Sequence, residues 1–291
     1  MQQSRWFLLF LMVMVSLLFS ETTTGEKNRT SLWKIETGHN TVYLLGSIHL
    51  LKEQDFPLPG AMEAAFSKAD VLVFETNLDS TQTPAFQQYV LSKAMLPQGQ
   101  TLSGVLDDSL YNAFKREAEP LGLPVDRMQV FRPWFAGLNL AVMKMQQLGF
   151  DPETGIDRYF FQKAKSSEKE IIGLETAAFQ INLLGNLGGN IILQQTLEQI
   201  NDTEKYLDEI LGYWRSGNLA GLEETLVKSF KDHPEIYRQL IVERNRRWLQ
   251  EIETYLGERQ NYLIVVGVGH MAGEQGLIRM LQNAGHTVNQ L

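Results

Sequence analysis

Apolar positions in this chain follow two different patterns. Near both ends they come as short continuous runs, at residues 32–37, 41–45, 71–75 and 262–267. Runs of four to eight residues rich in β-branched and aromatic side chains predict buried strands. Between about residues 84 and 256 the apolar positions recur at spacings of three and four, broken by Pro and Gly, which predicts a series of helices. That period covers 85–95, 109–118, 133–148, 155–164, 177–184, 191–211, 219–228 and 234–256. Within the block, 170–175 reads as one more short strand. A helix near 274–283 and a strand at 287–290 close the chain.

The connections suggest how these pieces join. Gly38-His39-Asn40 between the first two runs is a loop of hairpin type, and His39 needs no role beyond that turn. The run 41–45, a helix at 61–69 and the run 71–75 have the size of a strand–helix–strand unit. A right-handed crossover makes its strands parallel, so their C-terminal tips share one edge. The fold class that follows is α/β: a central mixed, mostly parallel sheet formed by both chain ends, with a large helical insertion or cap at about 84–256. Because the ends must meet to build the sheet, residues 31–291 are expected to form a single domain.

Residues 1–20 are set aside. Arg5 is their one charge, and an apolar stretch from Trp6 to Phe19 leads to Ser20, which predicts a signal peptide. The competing reading is a retained anchor, for which the stretch is short. Residues 21–30 are polar and read as a flexible lead-in. An exported chain is expected in the periplasm or outside the cell, with no membrane attachment once the signal is removed. Its formal net charge of −8 and lack of a basic block exclude nucleic acid and anionic membrane as natural partners. Cysteine is absent, so disulfides and thiolate metal sites are excluded and any metal must use His, carboxylate, amide or backbone ligands.

Candidate chemistry lies at the strand ends. The strands at 41–45 and 262–267 each run into Gly-x-x-His, Gly46-Ser47-Ile48-His49 and Gly267-Val268-Gly269-His270, which uses two of five histidines. Glu75 and Glu175 close two other strands. Ligands bind in the crevice beyond the C-terminal ends of parallel strands, and glycine before each histidine permits close backbone approach. In the long helix, Tyr237, Leu240, Ile241, Trp248 and Ile252 form an apolar stripe. Arg244 falls on that stripe with Asn245 beside it. A guanidinium buried there needs partners, and the carboxylates are candidates. Asp157 likewise shares a helical face with Phe160, Phe161 and Ala164. There is no H-E-x-x-H, G-x-S-x-G or phosphate-binding loop.

These residues resemble the TraB/GumN family. Leu44 to Lys52 with Phe56-Pro57-Leu58-Pro59, and Val73-Phe74-Glu75, are similar to its N-terminal signature. Gly155-Ile156-Asp157, Gly173-Leu174-Glu175-Thr176 with Gln180, Glu243-Arg244-Asn245 and Val266 to Gly273 resemble its later motifs in order. The likeness spans roughly residues 31–291. It implies a place in a wider group that holds the animal TIKI metalloproteases, erythromycin-esterase-like proteins and haem-binding ChaN-like proteins. By likeness to TIKI, His49, Glu75 and His270 would hold a divalent metal, Mn or Co; imidazole and carboxylate donors suit Zn as well.

Three functional expectations result. The first is a divalent-metal-dependent hydrolase, resembling a TIKI peptidase, acting on a peptide or small-molecule substrate. There one of Glu75 and Glu175 ligates and the other takes a proton from water, Arg244 stabilises the oxyanion, and Asn245 orients a ligand or the substrate. The second is a metal-independent, esterase-like hydrolase with a histidine as general base. The third is a non-catalytic periplasmic protein that binds a haem-type ligand.

Overall fold

A computed structural model describes residues 29–291. The predicted signal peptide and most of the predicted lead-in lie outside the described residues. Thr30, at the end of the lead-in, is buried, and its backbone N–H donates to the Leu291 carbonyl at 2.5 Å.

Six strands build one sheet: β1 (Leu32–Glu36), β2 (Thr41–Ser47), β3 (Val71–Phe74), β4 (Glu170–Gly173), β5 (Tyr262–Gly267) and β6 (Asn289–Gln290), in the order β4-β3-β5-β2-β1-β6. The four strands from β4 to β2 are parallel, while β1 runs antiparallel to β2 and β6. Both chain ends therefore supply the centre, and β4 comes from within the helical block. The residues of β2 and β5 after their first are buried on both faces, as expected for central parallel strands. Strands β2 and β3 are parallel as expected but do not touch, because β5 lies between them.

Each face of the sheet carries its own core. On one side Val42, Leu44, Val73, Ile264 and Val266 pack with Trp248 and Ile252 of the long C-terminal helix and with Leu277 and Leu281. On the other, Leu45, Leu72, Phe74, Leu263 and Val265 meet Phe66, Phe160, Phe161, Leu207 and Trp214. A third cluster around Leu102, Phe114, Leu140 and Leu193 holds the helical cap together.

The helices follow the predicted period with local differences. Helices α1 (Gly60–Lys68), α2 (Pro84–Ala94), α3 (Asp108–Ala118), α4 (Pro133–Gln147), α5 (Ile156–Ser166) and α6 (Ala177–Asn186) stand where expected. The predicted 191–211 helix is instead α7 (Ile191–Gln199) and α8 (Thr203–Arg215), divided by the tight turn Ile200–Asp202. The predicted 219–228 helix widens at Glu223–Val227. The predicted 234–256 helix begins as Pro234–Tyr237, opens into a wide turn at Arg238–Val242, and continues as α9 (Glu243–Gly257). The closing helix, α10, starts only at Leu277, since 271–276 form turns after His270. Among the described residues, no helix is long and apolar enough to cross a membrane.

Candidate active site

Parallel pairing of β2, β5, β3 and β4 brings four strand tips to one edge, where the chain delivers His49, His270, Glu75 and Glu175. The pairing runs past β3, with Glu175 N–H donating to the Glu75 carbonyl at 2.9 Å. Gly267 marks the point of convergence. A Cβ placed on it would stand 3.2 Å from Glu75 Oε1, 3.8 Å from His270 Cδ2 and 3.9 Å from His49 Nε2. His49, Glu75 and His270, from opposite ends of the sequence, thus converge on one point.

Helix α5 completes one side. Its N-terminus approaches the end of β2 so closely that Ile156 N–H donates to the Ile48 carbonyl at 2.9 Å. A Cβ on Gly155 would lie 2.0 Å from the His49 carbonyl oxygen, so this approach requires glycine. The contact aims Asp157 inward. Its Oδ1 accepts from Ser47 Oγ at 2.6 Å, and its Oδ2 pairs with His49 Nδ1. Ser47 donates to the aspartate, not to a histidine, so this is no serine nucleophile. The His49 ring is 36% exposed at the mouth of the cleft, and no described side chain bonds its Nε2. Burial pulls the His49 pKa down, but the charge and hydrogen bond of Asp157, with the charge of Glu75, outweigh that and lift it to about 9.

The other side is organised by α9. Arg244 is 2% exposed, and each of its N–H groups has a partner. Nε donates to Glu175 at 3.0 and 3.2 Å, and Nη1 to the Leu240 carbonyl at 3.2 Å and to His270 Nε2 at 3.0 Å. Nη2 bonds both Glu75 Oε2 and Glu175 Oε1. Asn245 fixes the His270 tautomer. Its amide nitrogen donates to the carbonyls of His270 and Gln275, so its oxygen accepts from His270 Nδ1 at 2.6 Å. Nε2 then carries the lone pair that meets Arg244. Burial, and next the charge of Arg244, hold the His270 pKa down at about 3 and keep the ring neutral. Trp248 closes this wall, 4.4 Å from the His270 ring and 4.6 Å from the guanidinium carbon.

Glu75 accepts from Gly267 N–H at 2.8 Å, from Gln180 Nε2 at 3.1 Å and from Arg244. Burial alone would raise its pKa, but Arg244, His270, His49 and the Gly267 N–H hold it well below the usual carboxylate range. Gln180 spends its second N–H on Glu175 at 3.0 Å. Together with His49, Phe74, Thr76, Leu78, Asp157 and Arg158, Glu75 and Gln180 line a cleft of about 300 Å³. That is the lower end of the size of a small-ligand pocket.

This geometry redistributes the expected roles. Arg244 keeps no N–H for a substrate oxyanion; it binds the two carboxylates and His270 instead. Asn245 orients His270, not a substrate. Glu175 is turned to Arg244 and does not line the cleft. The expected metal donors His49, Glu75 and His270 do converge, but they do not fit an ion as they stand. The lone pair of His270 Nε2 faces a guanidinium that cannot lose its proton, and Glu75 accepts from three donors. Among the described residues, no group of three His, Asp or Glu side chains is arranged to hold a metal.

Sequence reasoning flagged Asp157 as buried without assigning its partner, and it passed over Ser47 and Arg158. Arg158 lines the cleft with a buried Nε–H that has no partner, while one of its Nη atoms pairs with Glu153 at 2.5 Å. Its position directly after Asp157 was the one available signal.

A cleft at the tips of parallel strands, lined by histidine and carboxylate, is where α/β proteins place their ligand sites. The chain belongs to the TraB/PrgY/gumN family, whose profile matches residues 31–290. It is 26% identical over 247 residues to the uncharacterized protein YbaP of Escherichia coli (strain K12), covering 84% of this chain and 89% of that one. It is 23% identical to the metalloprotease TIKI homolog of Amphimedon queenslandica, covering 98% of this chain and 67% of that one. Identity is also 23% to metalloprotease TIKI2 of Xenopus tropicalis, of which it covers 60%, with 90% of this chain matched. No solved structure matches. These matches establish the family, and they do not extend to erythromycin esterases or ChaN-like haem proteins.

Proposed function

We propose that this chain is a hydrolase of peptide bonds in which His49, held by Asp157, moves the proton of an attacking water. The observation that carries this is that His49 lines the cleft with its Nδ1 anchored on the buried Asp157 carboxylate and its Nε2 bonded by no described side chain. A base fixed in this way sits within reach of water and substrate and has a defined tautomer. Water oxygen attacks the carbonyl carbon while Nε2 takes its proton. The C–N bond then breaks, and the same proton passes to the leaving nitrogen, yielding acid and amine. Arg158, which lines the cleft with its side chain 31% exposed, is the cation available to polarise the carbonyl. Glu75 remains a carboxylate throughout and supports the cationic form of His49 that appears during the reaction.

The choice of peptide follows from the relatives named as metalloproteases. No step is routed through a metal, because the donors that would hold one are turned to Arg244. Since His49 must be neutral to accept a proton, and its pKa is lifted to about 9, hydrolysis is expected to rise with pH toward that value. The test is cleavage of a peptide library and of simple esters by wild type, His49→Ala and Arg158→Ala, with and without chelator. Loss in His49→Ala, with wild-type activity surviving exhaustive chelation, supports the proposal. Equal cleavage by wild type and His49→Ala defeats it. Activity abolished by chelation and restored by Mn²⁺, Co²⁺ or Zn²⁺ would restore the metal-dependent reading in its place.

A further inference from the structure

We infer that the resident cation of this site is the Arg244 guanidinium, standing where Glu75, Glu175 and His270 would otherwise gather a divalent metal ion. Three donors from three strand tips surround one positive group. The Glu75 and Glu175 carboxylates both reach Nη2, Glu175 also meets Nε at 3.0 Å, and His270 Nε2 meets Nη1 at 3.0 Å. Two carboxylates and a neutral imidazole are a donor set suited to Zn²⁺, Co²⁺ or Mn²⁺. Here they are spent on a side chain that stays protonated at any pH a protein survives. The arrangement is built, not incidental. The Leu240 carbonyl, in the wide turn before α9, takes the remaining Nη1 hydrogen at 3.2 Å, and Trp248 stacks on the guanidinium at 4.6 Å. Asn245 holds His270 in the tautomer whose lone pair faces the arginine. A metal entering this set would be forced against a fixed positive charge at contact distance, with no water between them.

Two consequences follow. The wild-type chain takes no divalent ion at Glu75 and His270, and removal of the guanidinium turns the pocket into a metal site. The claim concerns binding and holds whether or not the cleft hydrolyses peptides, so its failure and the failure of the proposed hydrolysis can be told apart. The experiment is calorimetric titration of metal-free protein with Co²⁺ and Zn²⁺, with the visible Co²⁺ absorption recorded alongside. Wild type, Arg244→Met and Arg244→Met/His270→Ala are compared. Arg244→Met is expected to bind one equivalent at least 100-fold more tightly than wild type, and the double variant to lose it. One equivalent bound by wild type and lost in Glu75→Gln or His270→Ala overturns the inference. So does a folded Arg244→Met that binds none. If Arg244→Met folds only with Zn²⁺ present, the inference is upheld. If it does not fold at all, the wild type decides: no ion bound upholds the inference, and an ion lost in Glu75→Gln overturns it.

Discussion

Replacing Asp157 by Asn removes one charge and keeps the shape of the side chain, so it isolates what holds His49. Burial favours the neutral ring, and the nearby Arg244 charge acts in the same direction. Against these stand the charge and hydrogen bond of Asp157 and the more modest charge of Glu75, which together lift the pKa to about 9. An opposite charge in direct contact moves a pKa by roughly one to three pH units. His49 is 36% exposed, so solvent screens part of that effect and the lower half of the range applies. Asp157→Asn should therefore bring the His49 titration down from about 9 to between roughly 7 and 8. The assay is the pH dependence of the imidazole nitrogen resonances, assigned with His49→Gln, and it needs no substrate. With a hydrolysable peptide, the alkaline limb of the rate profile should move by the same amount. The plateau should fall by about 10²- to 10⁴-fold, because the ring loses its orienting carboxylate. A wild-type His49 that titrates near 6.5, unchanged in Asp157→Asn, would refute the pairing and the proton-transfer role built on it.

Three further outcomes are expected. His270 is buried neutral with its pKa pulled from 6.5 to about 3, so across that window the unfolded chain binds a proton that the folded chain refuses. Stability should fall as pH drops from 6.5 toward 3, by on the order of a few kcal/mol in urea denaturation, and His270→Gln should flatten that limb. Gly267 has an ordinary φ of −49°, so Gly267→Ala meets no backbone strain; its methyl reaches Glu75 Oε1 at 3.2 Å and intrudes between the two histidines. Activity should drop at least about tenfold while stability changes by no more than about 2 kcal/mol; full activity would show that the convergence point is not the reacting one. Gly155→Ala puts a methyl 2.0 Å from the His49 carbonyl, which only a backbone shift relieves. The expected cost is about 3 kcal/mol or more, with the His49 titration falling as Asp157 is drawn away. A stable variant with His49 still titrating near 9 would contradict that account.

Much of this architecture was legible because it is written in local periods. Fully buried parallel strands appear as unbroken apolar runs, and amphipathic helices as apolar positions three and four apart. Strand ends were equally readable, and with them His49, Glu75, Glu175 and His270. Where the reading stopped was the choice of partner. Strand β5 slides between β2 and β3 through pairings 220 and 191 residues apart, and no local pattern encodes that. The breaks at Ile200–Asp202 and Arg238–Val242 leave the apolar period almost undisturbed, so the sequence reads as continuous helix through both. Asp157 illustrates the same limit. Its helical face marked it as buried, but only the glycine-tight approach of Gly155 to His49 decides which base it serves.

The Arg244 cluster invites a question that packing alone does not answer. A buried ion-pair network can often be replaced by apolar side chains of similar volume with no loss of stability, so stability is a weak reason for keeping it. Trp248 and Leu240 already supply apolar surroundings on α9 and the turn before it, and a leucine in place of Arg244 could join them. What an apolar trio could not do is fix a carboxylate as an anion beside His49. Arg244 takes Glu75 Oε2 and leaves Oε1 to the Gly267 N–H, on the side of the cavity that His49 Nε2 also faces. The two histidines nevertheless stand in opposite states, because their neighbours differ. His270 in direct contact with the guanidinium is kept neutral, and His49, separated from it by Glu75, is kept readily protonated. Arg244 pulls both histidines toward the neutral form, and only His49 has the carboxylates of Asp157 and Glu75 to outweigh it, which makes His49 the candidate for proton transfer and His270 a buried, fixed neighbour of Glu75.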